Sequence, residues 1–289
     1  MTTNMPRSVW SLGAELGEGP VWARAALWFV DIKKQQVHRF DPAEASRRSW
    51  DAPEQIGFIL PTHDGSFVAG LQSGLHRFDE ASGSFTLIAE VEADHAENRI
   101  NDGVVDPAGR LWFGTMDNAE RRKSGAFYRY CKGRLTPSGI TGVAITNGPA
   151  ISPGGDTLYW VDTLGQTIWA CAIADDASLG PSHLFAAIAP GEGYPDGPTV
   201  DREGCVWISL YAGWEVRRYS PRGELLERVK FPVANITKIA FGGDDLTTAY
   251  ATTARQKMTA DEIALQPEIG DLFEFRVNVP GLASPLIDL

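Results

Sequence analysis

Cysteine is scarce in this chain. Cys131, Cys171 and Cys205 are the only three in 289 residues, too few and too scattered for a disulfide framework or a thiolate metal centre, which need close pairs. They read as reduced core residues, and the odd count favours a reducing compartment. No run of about 18 apolar residues is present to span a bilayer, and the opening stretch Met1 to Trp10 lacks the apolar core of a signal peptide, so the cytoplasm is the expected location. Basic charge is short too: 26 Lys and Arg against 37 Asp and Glu leave a net charge of −11, which speaks against nucleic acid or an anionic membrane as partner. There is no Gly-x-Ser-x-Gly elbow, and the five histidines are scattered. His38 and His76 fall at strand positions, His63 in a turn and His95 in a polar loop, so a nucleophilic triad is not expected. Long amphipathic helices are missing; the best candidate, Thr259 to Gln266, is about two turns and fits a loop of the last unit. With no linker or low-complexity segment, we expect one domain, residues 1–289, for which 43% hydrophobic residues supply ample core.

What is present is a repeat. Ala26–Asp31, Gly65–Gly70, Arg110–Gly114, Thr157–Asp162, Cys205–Ser209 and Thr248–Thr252 are six runs of β-branched and aromatic residues bounded by turn formers. Each is followed by a second such run, from Gln36–Phe40 in the first unit to Gly270–Phe275 in the sixth. A spacing of roughly 40 to 50 residues is that of propeller blades, so the expected fold is an all-β, six-bladed propeller. Ser8–Leu12 precedes the first full repeat and is expected to join the last blade, closing the ring and protecting its sheet edges.

A second pattern rides on the first. Glu18-Gly19-Pro20, Asn101-Asp102-Gly103, Asn147-Gly148-Pro149 and Asp196-Gly197-Pro198 stand at one phase of the first, third, fourth and fifth units, while the other two place Ile56-Gly57 and Thr237-Lys238 there. In a propeller, equal phase on the inner strands means convergence at one end of the central channel. Two carboxylates and two amides, without thiolate or imidazole, suit a divalent cation with positions open to water. Taken singly, each dipeptide is also an ordinary turn signal. Arg99 reads equally as a fixed cationic donor or as the surface partner of Asp94 and Glu97, and Lys238 as reaching the channel or the surface. Tyr194 and Trp214 fit packing between blades better than stacking on a sugar.

The series Leu16–Pro20, Asn98–Gly103, Gly114–Met116, Ile145–Pro149, Pro195–Gly197 and Phe241–Gly243, in this order across nearly the whole chain, resembles the regucalcin/gluconolactonase (senescence marker protein) family, and in particular its bacterial sugar-lactone hydrolases such as xylonolactonases and arabinolactonases. The resemblance implies one catalytic divalent metal held by Glu18, Asn147 and Asp196, with Asp196 also the acid/base residue and Arg99 and Asn101 binding substrate. Calcium, zinc, manganese, magnesium and ferrous iron all accept such oxygen ligands. Some relatives carry a substrate-touching Glu three residues after Gly-Thr-Met, where this chain has Ala119 between Asn118 and Glu120. The function implied is hydrolysis of an aldonolactone to the aldonic acid by a monomer; a phosphotriesterase-like hydrolase and a non-catalytic calcium-binding propeller are the alternatives.

Overall fold

The computed structural model describes residues 5–289, so Met1–Asn4 of the opening stretch lie outside the described residues. Six four-stranded antiparallel sheets make up the fold. Their innermost strands are Gly17–Ala23, Ile56–Pro61, Asn98–Val105, Thr146–Ile151, Tyr194–Val200 and Ile236–Gly242. Each packs against the next in sequence, and the sixth against the first, giving a six-bladed propeller with a central channel. Arg7–Trp10 pairs with Leu272–Arg276, at the outer edge of the sixth blade. The short helix Ala260–Leu265 lies in the last blade's loop, started by a capping box between Thr259 and Glu262. No helix among the described residues is long and apolar enough to cross a membrane.

The inner strands are buried on both faces, because neighbouring blades cover them from either side. The outer strands, such as Ser46–Asp51 and Ser84–Glu90, have no buried residue and are largely open to water. The second strands carry the packing core. Trp28, Trp112 and Trp207 are fully buried at matching positions, and each faces an arginine across the sheet, Arg39, Arg129 and Arg218. Such pairs combine large apolar burial with a cation over the ring face.

Each inner strand breaks register with its partner once, between Glu18 and Val21, Ile56 and Phe58, Ile100 and Gly103, Asn147 and Ala150, Pro195 and Pro198, and Ile236 and Lys238. A bulge re-aims a side chain and kinks the strand. Here it falls where the polar-Gly motifs stand, so those motifs lie within the inner strands rather than in turns ahead of them. Gly19 and Gly148 adopt the left-handed φ values of +54° and +79° that the kink requires.

Buried turn aspartates anchor the second strands. Asp201 is fully buried, and its Oδ1 accepts from the Glu203 and Cys205 amides while Oδ2 accepts from Trp207 Nε1 and Arg218 Nε. Asp106 does the same in blade 3 for Ala108, Arg110 and Trp112. Of the cysteines, Cys171 and Cys205 are core residues, but Cys131 is only half-buried.

Candidate active site

Glu18, Arg99, Asn101, Asn147 and Asp196 come from four different blades, and all five line one cavity of about 280 Å³ at one end of the channel. All are buried. The bulges bring them there, since each sits at the register break of its inner strand or within two residues before it.

A chain of hydrogen bonds fixes the wall. Arg99 Nη1 donates to Asn101 Oδ1 at 2.6 Å, and Asn101 Nδ2 donates to the Thr146 carbonyl at 2.6 Å and to Asn147 Oδ1 at 3.1 Å. Asn147 Nδ2 donates to Thr163 Oγ1, which passes its own proton to the Pro195 carbonyl, both at 2.9 Å. This orients the Asn147 amide with one lone pair of Oδ1 still unused. Gly57, in blade 2, lets the strands close up: a Cβ there would stand 2.2 Å from the Asn101 carbonyl.

Two buried groups are left unsatisfied. Asp196 Oδ1 and Arg99 Nε have no hydrogen-bond partner, although buried polar atoms are nearly always paired. Burial, then the neighbouring Glu18 and Asp102 charges, hold the Asp196 carboxyl well above the ordinary carboxylate range. Burial and then Asp102 raise Glu18 likewise. Arg99 is lowered to about 10, chiefly by burial, and so remains charged at neutral pH. Two carboxyls that disfavour each other's ionisation, one with a free oxygen, beside an amide with a spare lone pair, form a donor set that a hard divalent cation would satisfy. Among the described residues no group of three His, Cys, Asp or Glu is placed to hold a metal; the donor set here has two carboxylates and amide oxygens.

The rim holds residues that the motifs did not reveal. Glu120 lines the cavity, one position beyond Ala119, so this loop does bring a carboxylate to the site. It accepts from Gln256 Nε2 at 3.2 Å and pairs with Lys257. Lys33 donates to Gln55 Oε1 and Asn118 Oδ1, both at 2.9 Å; burial and then the Arg99 charge lower it to about 8. Thr163 and Tyr211 complete the wall. Apart from Tyr211, which ends the strand Val206–Tyr211, these groups come from connections between strands, where no repeated phase marks them. Arg99 is not paired with Asp94 or Glu97; Glu97 instead meets Arg122. Tyr194 and Trp214 are each 42% exposed rather than packed between blades, and Tyr194 lines the cavity. Lys238 reaches the channel interior, where it is buried against Asp102.

Comparisons with known proteins identify the family. Residues 16–255 match the SMP-30/Gluconolactonase/LRE-like region, and the chain belongs to that family. It is similar to the 6-deoxy-6-sulfogluconolactonase of Pseudomonas putida, 35% identical over 94% of both chains. It is also similar to the L-arabinolactonase of Azospirillum brasilense, 33% identical over 93% of this chain and 91% of that one. Among solved structures, a calcium-binding protein, regucalcin, from Agrobacterium tumefaciens superposes with a TM-score of 0.94 at 30% identity, covering 98% of this chain and 97% of that one.

Proposed function

We propose that this chain is a sugar lactone hydrolase, opening an aldonolactone to the aldonic acid, with Glu18, Asn147 and Asp196 holding one divalent cation and Arg99 and Asn101 binding the substrate. The carrying observation is the buried Asp196 oxygen without a partner, on a residue that lines the same cavity as Glu18, Asn147 and Arg99. Relatives named as lactonases support the reaction class, and the family's regucalcins and calcium-binding protein support a divalent cation. Calcium, zinc, manganese, magnesium or ferrous iron each suit oxygen donors.

A bound cation would supply Lewis-acid polarisation of the lactone carbonyl and stabilise the charge that grows on its oxygen. The remaining work falls to side chains of this chain. Arg99, held by Asn101 and still charged, offers its guanidinium to a substrate oxygen. The Asp196 carboxylate takes a proton from the attacking water as its oxygen bonds to the carbonyl carbon. It returns that proton to the ring oxygen as the carbon–oxygen ester bond breaks, leaving a hydroxy acid. Tyr194, at the exposed lip, presents a ring face to the sugar. We place the protein in the cytoplasm as a monomeric, single-domain enzyme.

The test is acid release from a panel of aldonolactones, with spontaneous opening subtracted, after chelation and with each cation restored. Cation-dependent turnover of at least one lactone is expected. Full activity in thoroughly chelated protein would remove the cation from the mechanism, and turnover of phosphotriesters alone would favour the organophosphate alternative.

A further inference from the structure

Beneath the five site residues lies a pair that the reaction above does not use. Lys238 leaves the inner strand of blade 6, and its Nζ donates to both oxygens of Asp102 in blade 3, at 2.6 and 2.7 Å; both side chains are buried. Asp102 Oδ1 also accepts from the Gly103 amide at 2.8 Å, and Oδ2 from the Gly148 amide of blade 4 at 3.1 Å. On its way the lysine stem lies against Gly197 of blade 5, where a Cβ would come within 2.6 Å of Lys238 Cγ. The three points touched are thus Asp102, Gly148 and Gly197. Each is the residue that follows a proposed site residue: Asn101, Asn147 and Asp196.

We propose that Lys238 and Asp102 are positioning residues, a cross-channel clamp that sets the separation of Asn101, Asn147 and Asp196 and thereby the affinity and geometry of the cation site. This rests on the cation-dependent reading above. The clamp joins blades 6 and 3 across the axis and reaches blade 4 through a backbone amide, so it fixes spacings that neighbour-to-neighbour packing around a ring leaves soft. Gly197 is required because the stem fills the space where any side chain of that residue would project. A buried charge pair of this kind contributes little net stability, because desolvation offsets its attraction; its value is geometric.

The charge-balanced double variant D102N/K238M is the test, since it removes the link across the channel without changing the net charge near the cation. Partners behind metal ligands typically alter affinity or activity 10- to 100-fold when removed. In the double variant we expect Mn²⁺ affinity by titration calorimetry to weaken about 10-fold, and kcat at saturating Mn²⁺ to fall about 10-fold, with KM within about three-fold. The melting midpoint without cation should stay near that of wild type. K238M alone, which strands the Asp102 charge, should lose at least as much kcat. A double variant that binds Mn²⁺ and turns over like wild type overturns the clamp, and shows that Lys238 only neutralises Asp102. Chelated wild type that stays fully active would sink the cation reading instead, while the kcat ratio of variant to wild type would still judge the clamp.

Discussion

The same four inner strands line two cavities of similar size at the two ends of the channel, and ionisable side chains gather at only one of them. At one end Glu18, Arg99, Asn101, Asn147 and Asp196 enclose about 280 Å³; at the other, Pro20 to Trp22, Gly103 to Val105, Ala150, Ile151 and Pro198 to Val200 border about 310 Å³, where Lys238 is the one charged side chain in a mostly apolar set of residues. The change occurs within two or three residues along each strand, at the bulge. Residues 281–288 cross the apolar end, bridging to Asp201 in blade 5 and to Thr62 in blade 2. The two ends are therefore treated differently: the 281–288 segment lies along one, and at the other Asp196 Oδ1 and Arg99 Nε are left without partners among the described residues. Unsatisfied polar groups destabilise a fold, and they persist where a ligand completes them.

Two aspartates of blade 5 make the contrast sharp. Asp196 has a buried oxygen with no partner, whereas Asp201, five residues on, has four hydrogen bonds. The largest expected effect is at Asp196. Asp196→Asn should lower kcat about 1,000-fold at saturating cation, the middle of the range for a lost general base. It should raise the melting midpoint of cation-free protein, because the cost of shifting a buried carboxyl away from its ordinary ionised state is removed. Unchanged kcat would show that the two ends do not differ in role. Asp201→Asn should do the reverse: an amide N–H₂ faces buried donors and Arg218 keeps only Glu203 as a carboxylate partner, so chemical denaturation should show a loss of about 3 kcal/mol. Turnover of the folded fraction should stay within about two-fold; a larger drop would tie the apolar end to the chemistry.

His38 sharpens the comparison on the packing side. It is buried between Trp10 and Phe29, with Nδ1 at 2.8 Å from Ser49 Oγ, and burial pushes it down to about 4 despite the attraction of Asp31. A base with a depressed folded value contributes stability that is fully present above its ordinary value near 6.5 and is lost as pH falls toward 4. The loss amounts to at most about 3 kcal/mol. Denaturation midpoints of His38→Gln should therefore fall less steeply between pH 7 and pH 4 than those of wild type; parallel curves would assign the acid sensitivity elsewhere. The smallest effect is expected at the apolar cavity, where Leu60→Ala should cost about 2 kcal/mol, since its neighbours border space into which they can relax. The kcat should not change, as measured on the same preparations.

The repeat was legible because second strands bury Trp28, Trp112 and Trp207 at one phase, and alternation of that kind survives in a linear string. The polar-Gly motifs were legible for the same reason, and they picked out four of the five proposed site residues that meet in the cavity, Arg99 having come from the family resemblance alone. Their setting was not: as turn dipeptides they would stand outside the sheet, whereas a bulge within a doubly buried strand is a pairing property that one strand alone does not encode. Glu120, Lys33 and Gln256 escaped notice because they stand on connections of unlike length, where no phase repeats.

By itself, then, the sequence determined the six-bladed repeat, the acidic surface and the recurrence of an oxygen-bearing side chain before Gly in four blades. These are local or periodic properties, written in residue type and spacing. Only the tertiary structure decided that Asp196 keeps a free buried oxygen while Asp201 is saturated, that Lys238 turns inward to Asp102, and that Tyr194 and Trp214 face water. These depend on which atoms stand within about 3 Å, from the same blade at Asp201 and from opposite blades at Lys238, and closure of a ring brings together residues more than a hundred positions apart.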